Sequence, residues 1–206
     1  RLAEANVAAG QALWIGVVLS VAVGVAGYHG AEWLLRTMGA EPVVVATGVG
    51  YTGIIFGGAG TIIFLFMINA IFRGAGDPMI AMRALWLANG VNLVLDPLLI
   101  FGLGPIPAMG VEGAAIATTI GRGTGVAYQL WCLFGANGRV RPAVADLRLN
   151  PSVLLRLLRL SAGGVMQFLI HTASWVVLVR IIALYGSVAV AGYTIAIRII
   201  DFTIMP

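Results

Sequence analysis

The sequence predicts an all-α polytopic membrane protein, and three observations carry that prediction. Apolar residues make up 60% of the 206 and charged residues only 10%, against about 25% charged in a soluble globular domain. The mean hydropathy is +1.01. Several charge-free runs reach or exceed the roughly 20 residues that a helix needs to cross a hydrocarbon core of about 30 Å. The 28 glycines have no three-residue period, which excludes collagen, and glycine is frequent in membrane helices.

Six spans follow from these runs. The first is uncharged from Ala5 to Tyr28, and the second from Pro42 to Phe72. A third extends from near Ala84 to Phe101 with Asp96 inside it, and a fourth from about Val111 to Phe134 with Arg122 inside it. The fifth covers about Leu157 to Leu184, and the sixth begins near Val188. Breaker-rich links at Gly39–Pro42, Arg73–Pro78 and Gly102–Gly110 make tight turns between neighbouring spans. In the second of these, Asp77 is expected to cap the following helix, with Pro78 in its first turn. The stretch from Gly135 to Pro151 is longer, carries Arg139, Arg141 and Arg148, and reads as a boundary between two helix bundles. Arg1 is not an initiator methionine and Pro206 falls within a hydrophobic stretch, so the sequence reads as an internal piece of a longer protein.

Arginine bias sets the orientation. All twelve basic residues are arginine. Counting alternate ends of the spans, one side receives eight of them (1, 73, 83, 139, 141, 148, 156 and 159) and the other two, Arg36 and Arg180. The arginine-rich side is the cytoplasmic one. The pI near 9.8 does not point to nucleic acid, because the arginines are not interleaved with aromatics on one face and no recognition motif is present. The single cysteine, Cys132, excludes an internal disulfide or a Cys-x-x-Cys metal site. The glycine-rich turn at 73–77 lacks the lysine–serine pair and the preceding strand of a phosphate loop.

Ionisable and amide groups inside a span are expensive and need a reason. Asn92 and Asp96 are four apart on one helix face. Pro97 follows, and because it has no N–H it leaves the Leu93 carbonyl without its helical donor. An amide, a carboxylate and a free carbonyl together make a candidate cation or proton site. Folding the third span against the fourth about a turn near 106–107 sets residue 96 opposite 117 and residue 92 opposite 121. Thr118 then lies at the depth of Asp96, with Thr119 beside it. Its hydroxyl either joins the site or bonds back to Ala114 within its own helix. Arg122 is read two ways, as a counter-charge for Asp96 or as a side chain snorkelling toward the cytoplasm. Gln167 and His171, four apart on the fifth span, are candidates for lining a cavity. Arg198 and Asp201, three apart on the sixth, can pair or line an inner pathway. No nucleophile or metal cluster of an enzyme can be assembled, and no filter motif of a channel is visible.

The stretches Phe-Arg-Gly-Ala-Gly-Asp at 72–77, Asn-Leu-Val-Leu-Asp-Pro-Leu-Leu-Ile-Phe-Gly at 92–102 and Gly-Val-Glu-Gly-Ala-Ala-Ile-Ala-Thr at 110–118 resemble the multidrug and toxic compound extrusion (MATE) transporters. Gly-Ser-Val-Ala-Val-Ala-Gly-Tyr at 186–193 and Arg-Ile-Ile at 198–200 support the same resemblance. It implies a two-lobe, twelve-helix transporter. Residues 1–134 would supply the last four helices of the first lobe, 135–152 the cytoplasmic linker, and 153–206 the first two helices of the second lobe. The implied activity is secondary antiport of cationic or amphipathic drugs against H⁺ or Na⁺ by alternating access, in a multi-pass protein of the bacterial inner (plasma) membrane. It further implies that Asp96 is the cation-site aspartate, Asn92 its amide partner and Thr118 a nearby hydroxyl. Asp96 and Asn92 are metal ligands only if the coupling ion is Na⁺. No cofactor beyond the coupling ion, no nucleic acid and a functional monomer in the lipid bilayer are expected. A lipid-linked oligosaccharide flippase of related architecture is the alternative.

Overall fold

The structure, a computed structural model, describes residues 2–102, 107–135 and 142–204. Arg1, Ile106, Arg139 and Arg141, used above to place a turn and the cytoplasmic side, lie outside the described residues, as does the side chain of Asp201. The element order is α1 (Leu2–Thr37), α2 (Pro42–Gly57), α3 (Ala59–Gly74), α4 (Pro78–Phe101), α5 (Gly110–Phe134), a 3₁₀ turn (Val144–Leu147), α6 (Pro151–Ala183) and α7 (Ser187–Ile204). Among the described residues there is no strand. The chain is a multi-pass membrane protein. Helices α1, α4 and α6 are each long and apolar enough to cross a bilayer, and α2 with α3 make a fourth crossing if taken as one bent span. The helix α5 has the length, 25 residues, but carries Glu112 and Arg122, and α7 is shorter.

The expected second span is broken. Helices α2 and α3 meet at Gly58 with a bend of 44°. A Cβ on Gly58 would lie 2.6 Å from the Thr119 methyl of α5, so the chain needs a glycine where that side chain presses in. At the new helix start the Thr61 backbone N–H and hydroxyl both donate to the Gly58 carbonyl, at 2.9 and 2.8 Å. The turn between α3 and α4 closes with the Gly76 N–H on the Arg73 carbonyl and the Asp77 N–H on that of Phe72. Gly76 sits there at φ +78°, the left-handed conformation that ends such helices. Asp77 occupies the cap position of α4 with Pro78 in the first turn, but its side chain makes no capping hydrogen bond. The expectation of a side-chain cap is thus corrected: the Schellman-type closure already fixes the turn.

Two compact units are present, Arg1–His29 with Gly50–Leu160, and Gly30–Val49 with Ser161–Pro206. In the first, Ala9, Leu13, Ile68, Phe72, Ile80, Ala81, Cys132 and Leu133 form a core among α1, α3, α4 and α5. Beside it the buried Gln129 amide donates to the Asn69 side-chain oxygen at 2.6 Å and to the Leu65 carbonyl at 3.3 Å. In the second, an apolar cavity of about 310 Å³ is lined by Leu35, Met38, Val44, Val179 and Val190, among others. Arg180 donates to the Thr37 carbonyl at 3.1 Å in the same unit.

The tightest helix pair is α4 with α5. Gly113, Ala117, Gly121 and Gly125 recur every four residues along one buried face of α5. A Cβ on Gly121 would stand 2.7 Å from the Ala88 carbonyl and 3.1 Å from the Asn92 Cβ. One on Gly125 would stand 3.0 Å from the Ala84 carbonyl, and one on Gly113 would overlap that of Leu99. Small residues at this spacing let two membrane helices approach backbone to backbone.

The segment before α6 is tied to α1. The Gln11 side chain, 0% exposed, donates to the Arg148 carbonyl at 2.8 Å and accepts the Asn150 N–H at 3.0 Å. Trp14, which fits no interfacial belt, donates its indole N–H to the Leu147 carbonyl at 2.8 Å.

Two outcomes follow for the full-length protein. Gly121→Ala is expected to destabilise it by about 1–3 kcal/mol through overpacking. Gly123→Ala, whose added Cβ meets only the Thr61 methyl at 3.9 Å, is expected to leave the thermal midpoint unchanged or raised. Midpoints measured in detergent compare the two. Separately, Gln11→Leu orphans two backbone groups, at about 1–3 kcal/mol each. Limited proteolysis within 146–150 should quicken in that variant and not in the parent.

Candidate functional site

The glycine face of α5 decides which side chains flank the contact with α4. Gly121 rests on Asn92, so Thr118, three positions earlier, and Arg122, one position later, sit beside the seam. On α4, Asn89, Asn92 and Asp96 are spaced by three and four residues and share a face. The Asn92 amide nitrogen donates to an Asp96 carboxylate oxygen at 3.1 Å and to the Thr118 hydroxyl oxygen at 3.4 Å. All three residues are half-buried. Asn92 therefore bridges the carboxylate on its own helix and the hydroxyl on the next. Thr119, not Thr118, makes the quiet intrahelical bond, to the Ala115 carbonyl at 2.9 Å.

Arg122 lies between the two sequence readings. Among the described residues the one salt bridge is Arg36 with Glu32, at 2.7 Å on the surface, so Arg122 is not the direct counter-charge of Asp96. It lines a cavity of about 370 Å³ bounded by α3, α4 and α5, together with Asn89, Asn92 and Thr118. Apolar side chains, among them Ile62, Leu65 and Phe66, complete that cavity.

The remaining candidates lie elsewhere. Gln167 and His171 are exposed on α6, and Arg198 is exposed on α7. Asp201 is on α7 with its side chain outside the described residues, so its pairing with Arg198 falls outside them too. Among the described residues no three His, Cys, Asp or Glu side chains come together. A cation at the α4–α5 site would meet one carboxylate and neutral oxygens, a hard-oxygen set.

Three polar residues escaped the sequence reading. Asn89 carries the same signal as Asn92, an amide within an apolar run on the Asp96 face. Asn69 and Gln129 are amides in apolar runs as well, and the structure buries them against each other.

The MatE family profile matches residues 1–98. The chain is similar to the multidrug export protein MepA of Staphylococcus aureus (strain MRSA252), 25% identical over 91% of this chain and 41% of that protein. It is also similar to the probable multidrug resistance protein YoeA of Bacillus subtilis (strain 168), 26% identical over 96% of this chain and 43% of that protein. Among solved structures, a MATE transporter in the bent conformation superposes with a TM-score of 0.75 at 26% identity, over 96% of this chain and 49% of the other. The chain thus spans about two fifths of the length of the curated relatives it matches.

Proposed function

We propose that the chain is part of a MATE-type transporter and that the whole protein is a secondary antiporter exporting amphipathic or cationic small molecules against inward H⁺ or Na⁺. Asp96, with Asn92 and Thr118, is the place where the coupling ion acts. The observation that supports this most is the Asn92 bridge, which ties an ionisable group on the membrane-spanning α4 to a hydroxyl on α5.

The mechanism follows from what a cation does to that bridge. A proton on Asp96 turns one carboxylate oxygen from an acceptor into a donor, and the charge-assisted bond from Asn92 is lost or weakened. Na⁺ would draw the Asp96 carboxylate, the Asn92 amide oxygen and the Thr118 hydroxyl toward itself, rotating the amide. Either event changes how α4 is held against α5. Pro97, one residue on, deprives α4 of a backbone hydrogen bond at the same level, so the helix is least restrained where the ion arrives. A change in helix packing that alters drug affinity must act reciprocally, drug occupancy altering ion affinity by the same factor.

In this reading residues 1–134 belong to the first lobe, 135–152 join the lobes and 153–206 open the second. Transport proceeds by rocking of one lobe against the other around the bound molecule. The protein works as a monomer in the plasma membrane, with no cofactor other than the coupling ion. The export named for MepA and the resistance named for YoeA support a drug-like cargo.

Asp96→Asn in the full-length protein, reconstituted into liposomes at matched amounts, is expected to lower gradient-driven drug transport by about ten-fold or more, the scale of a lost charge-assisted bond. Drug binding without a gradient should persist. Imposing a pH gradient and a sodium gradient in turn identifies the coupling ion. Coupling equal to the parent under both gradients would remove Asp96 from the mechanism.

A further inference from the structure

We propose that the cavity between α3, α4 and α5 is an oxyanion site centred on Arg122, which takes a phosphate or carboxylate group attached to an apolar body. This goes beyond the antiport reading and does not rest on Asp96 carrying the coupling ion.

The starting point is a charge that must be balanced. A guanidinium stays protonated in any protein, and removing it from water costs several kcal/mol or more unless an anion compensates. Arg122 is half-buried in a membrane helix. Among the described residues it has neither an ion-pair partner nor a hydrogen-bond acceptor. The acidic groups of its unit are accounted for. Asp96 is engaged by Asn92. Glu112 is ten residues away on the same helix, about 15 Å along its axis. Asp77 is at the far start of α4, Glu4 is near the start of α1, and Asp146 accepts the Ala143 N–H at 2.9 Å.

The cavity beside Arg122 offers further donors. Asn89, exposed at the cavity's edge, has no hydrogen-bond partner among the described residues, so its amide is available. The Thr118 hydroxyl uses its oxygen to accept from Asn92 and keeps its proton to give. A planar fork with further N–H and O–H donors converging on one space fits an oxyanion, which accepts several hydrogen bonds at once. The rest of the wall, Ile62, Leu65 and Phe66 among others, is apolar. At about 370 Å³ the cavity is larger than a bare ion needs and falls in the range of small-ligand pockets. The chemistry is therefore that of an anionic head with a greasy tail, supplied either by a lipid headgroup or by a soluble amphipathic acid.

Calorimetric titration of the purified full-length protein tests this with two probes, inorganic phosphate and short-chain phosphatidylglycerol. Saturable binding is expected, weakened about ten-fold or more in Arg122→Gln and less in Arg122→Lys, which keeps the charge but loses the fork. Asn89→Ala should weaken it by a smaller factor, and Arg36→Gln, a surface control, should not change it. Binding of the lipid alone identifies a headgroup site; binding of both identifies a site open to soluble oxyanions. If Arg122→Gln does not fold, Arg122→Lys and Asn89→Ala decide the matter. The proposal is overturned if neither probe binds, if the Arg122 and Asn89 variants bind as the parent does, or if Arg36→Gln loses affinity equally. Because the readout is equilibrium binding in Asp96-intact protein, its failure leaves the coupling role of Asp96 untouched.

Discussion

Two helices in lipid gain nothing from the hydrophobic effect by meeting, since acyl chains are as apolar as leucine. What holds α5 on α4 is contact at short range, and short range requires that side chains be absent along the seam. Gly113, Ala117, Gly121 and Gly125 provide that absence at every fourth residue, and the α4 backbone from Ala84 to Leu99 fills it. Each element of the site depends on this approach. The Asn92 amide meets the Thr118 hydroxyl oxygen across this seam at 3.4 Å. The cavity beside Arg122 is bounded by this pair and by Ile62, Leu65 and Phe66 of α3. The Gly58 break belongs to the same packing, since it is the Thr119 side chain of α5 that occupies the place of a Cβ on α2–α3.

Much of this was legible in the residues. The spans follow from run length alone, because backbone groups in lipid must be satisfied within a helix or a closed barrel. The α4–α5 register could be found by folding a hairpin about its turn, since both helices rise by the same amount per residue. The expected facing of 92 with 121 is the observed one, with Gly121 against Asn92. The mid-span carboxylate and its amide neighbour were conspicuous for the same reason that they are costly.

What could not be read depended on atoms from distant parts of the chain. The bend falls on the Gly57–Gly58 pair, a place where helices kink, but nothing within 42–74 announces that Thr119 fills the space beside it. Gln11 is one polar residue in an apolar run, yet it holds the backbone of residues 148–150, more than 130 positions away. Arg122 had two reasonable fates, and the choice turned on whether Asn92 or the guanidinium would reach Asp96. Asp77 showed the opposite limit: a favourable capping residue stands at the right place, yet its side chain makes no capping hydrogen bond.

The separation of Asp96 from Arg122 has a physical consequence of its own. A carboxylate and a guanidinium at neighbouring depths would ordinarily pair, and a tight pair would hold the carboxylate ionised and screen both charges from any ligand. Here the Asn92 amide satisfies Asp96 and links it to Thr118, so a neutral bridge stands where an ion pair would have formed. In the proposed mechanism each charge stays open to its own counter-ion, a cation at Asp96 and an oxyanion at Arg122. Asn92 and Thr118 both flank Asp96 and line the Arg122 cavity, so filling either place would perturb the other. A structure that paired the two residues directly would be more easily explained as a static support, and it would leave α4 and α5 with nothing to which an arriving ion could couple.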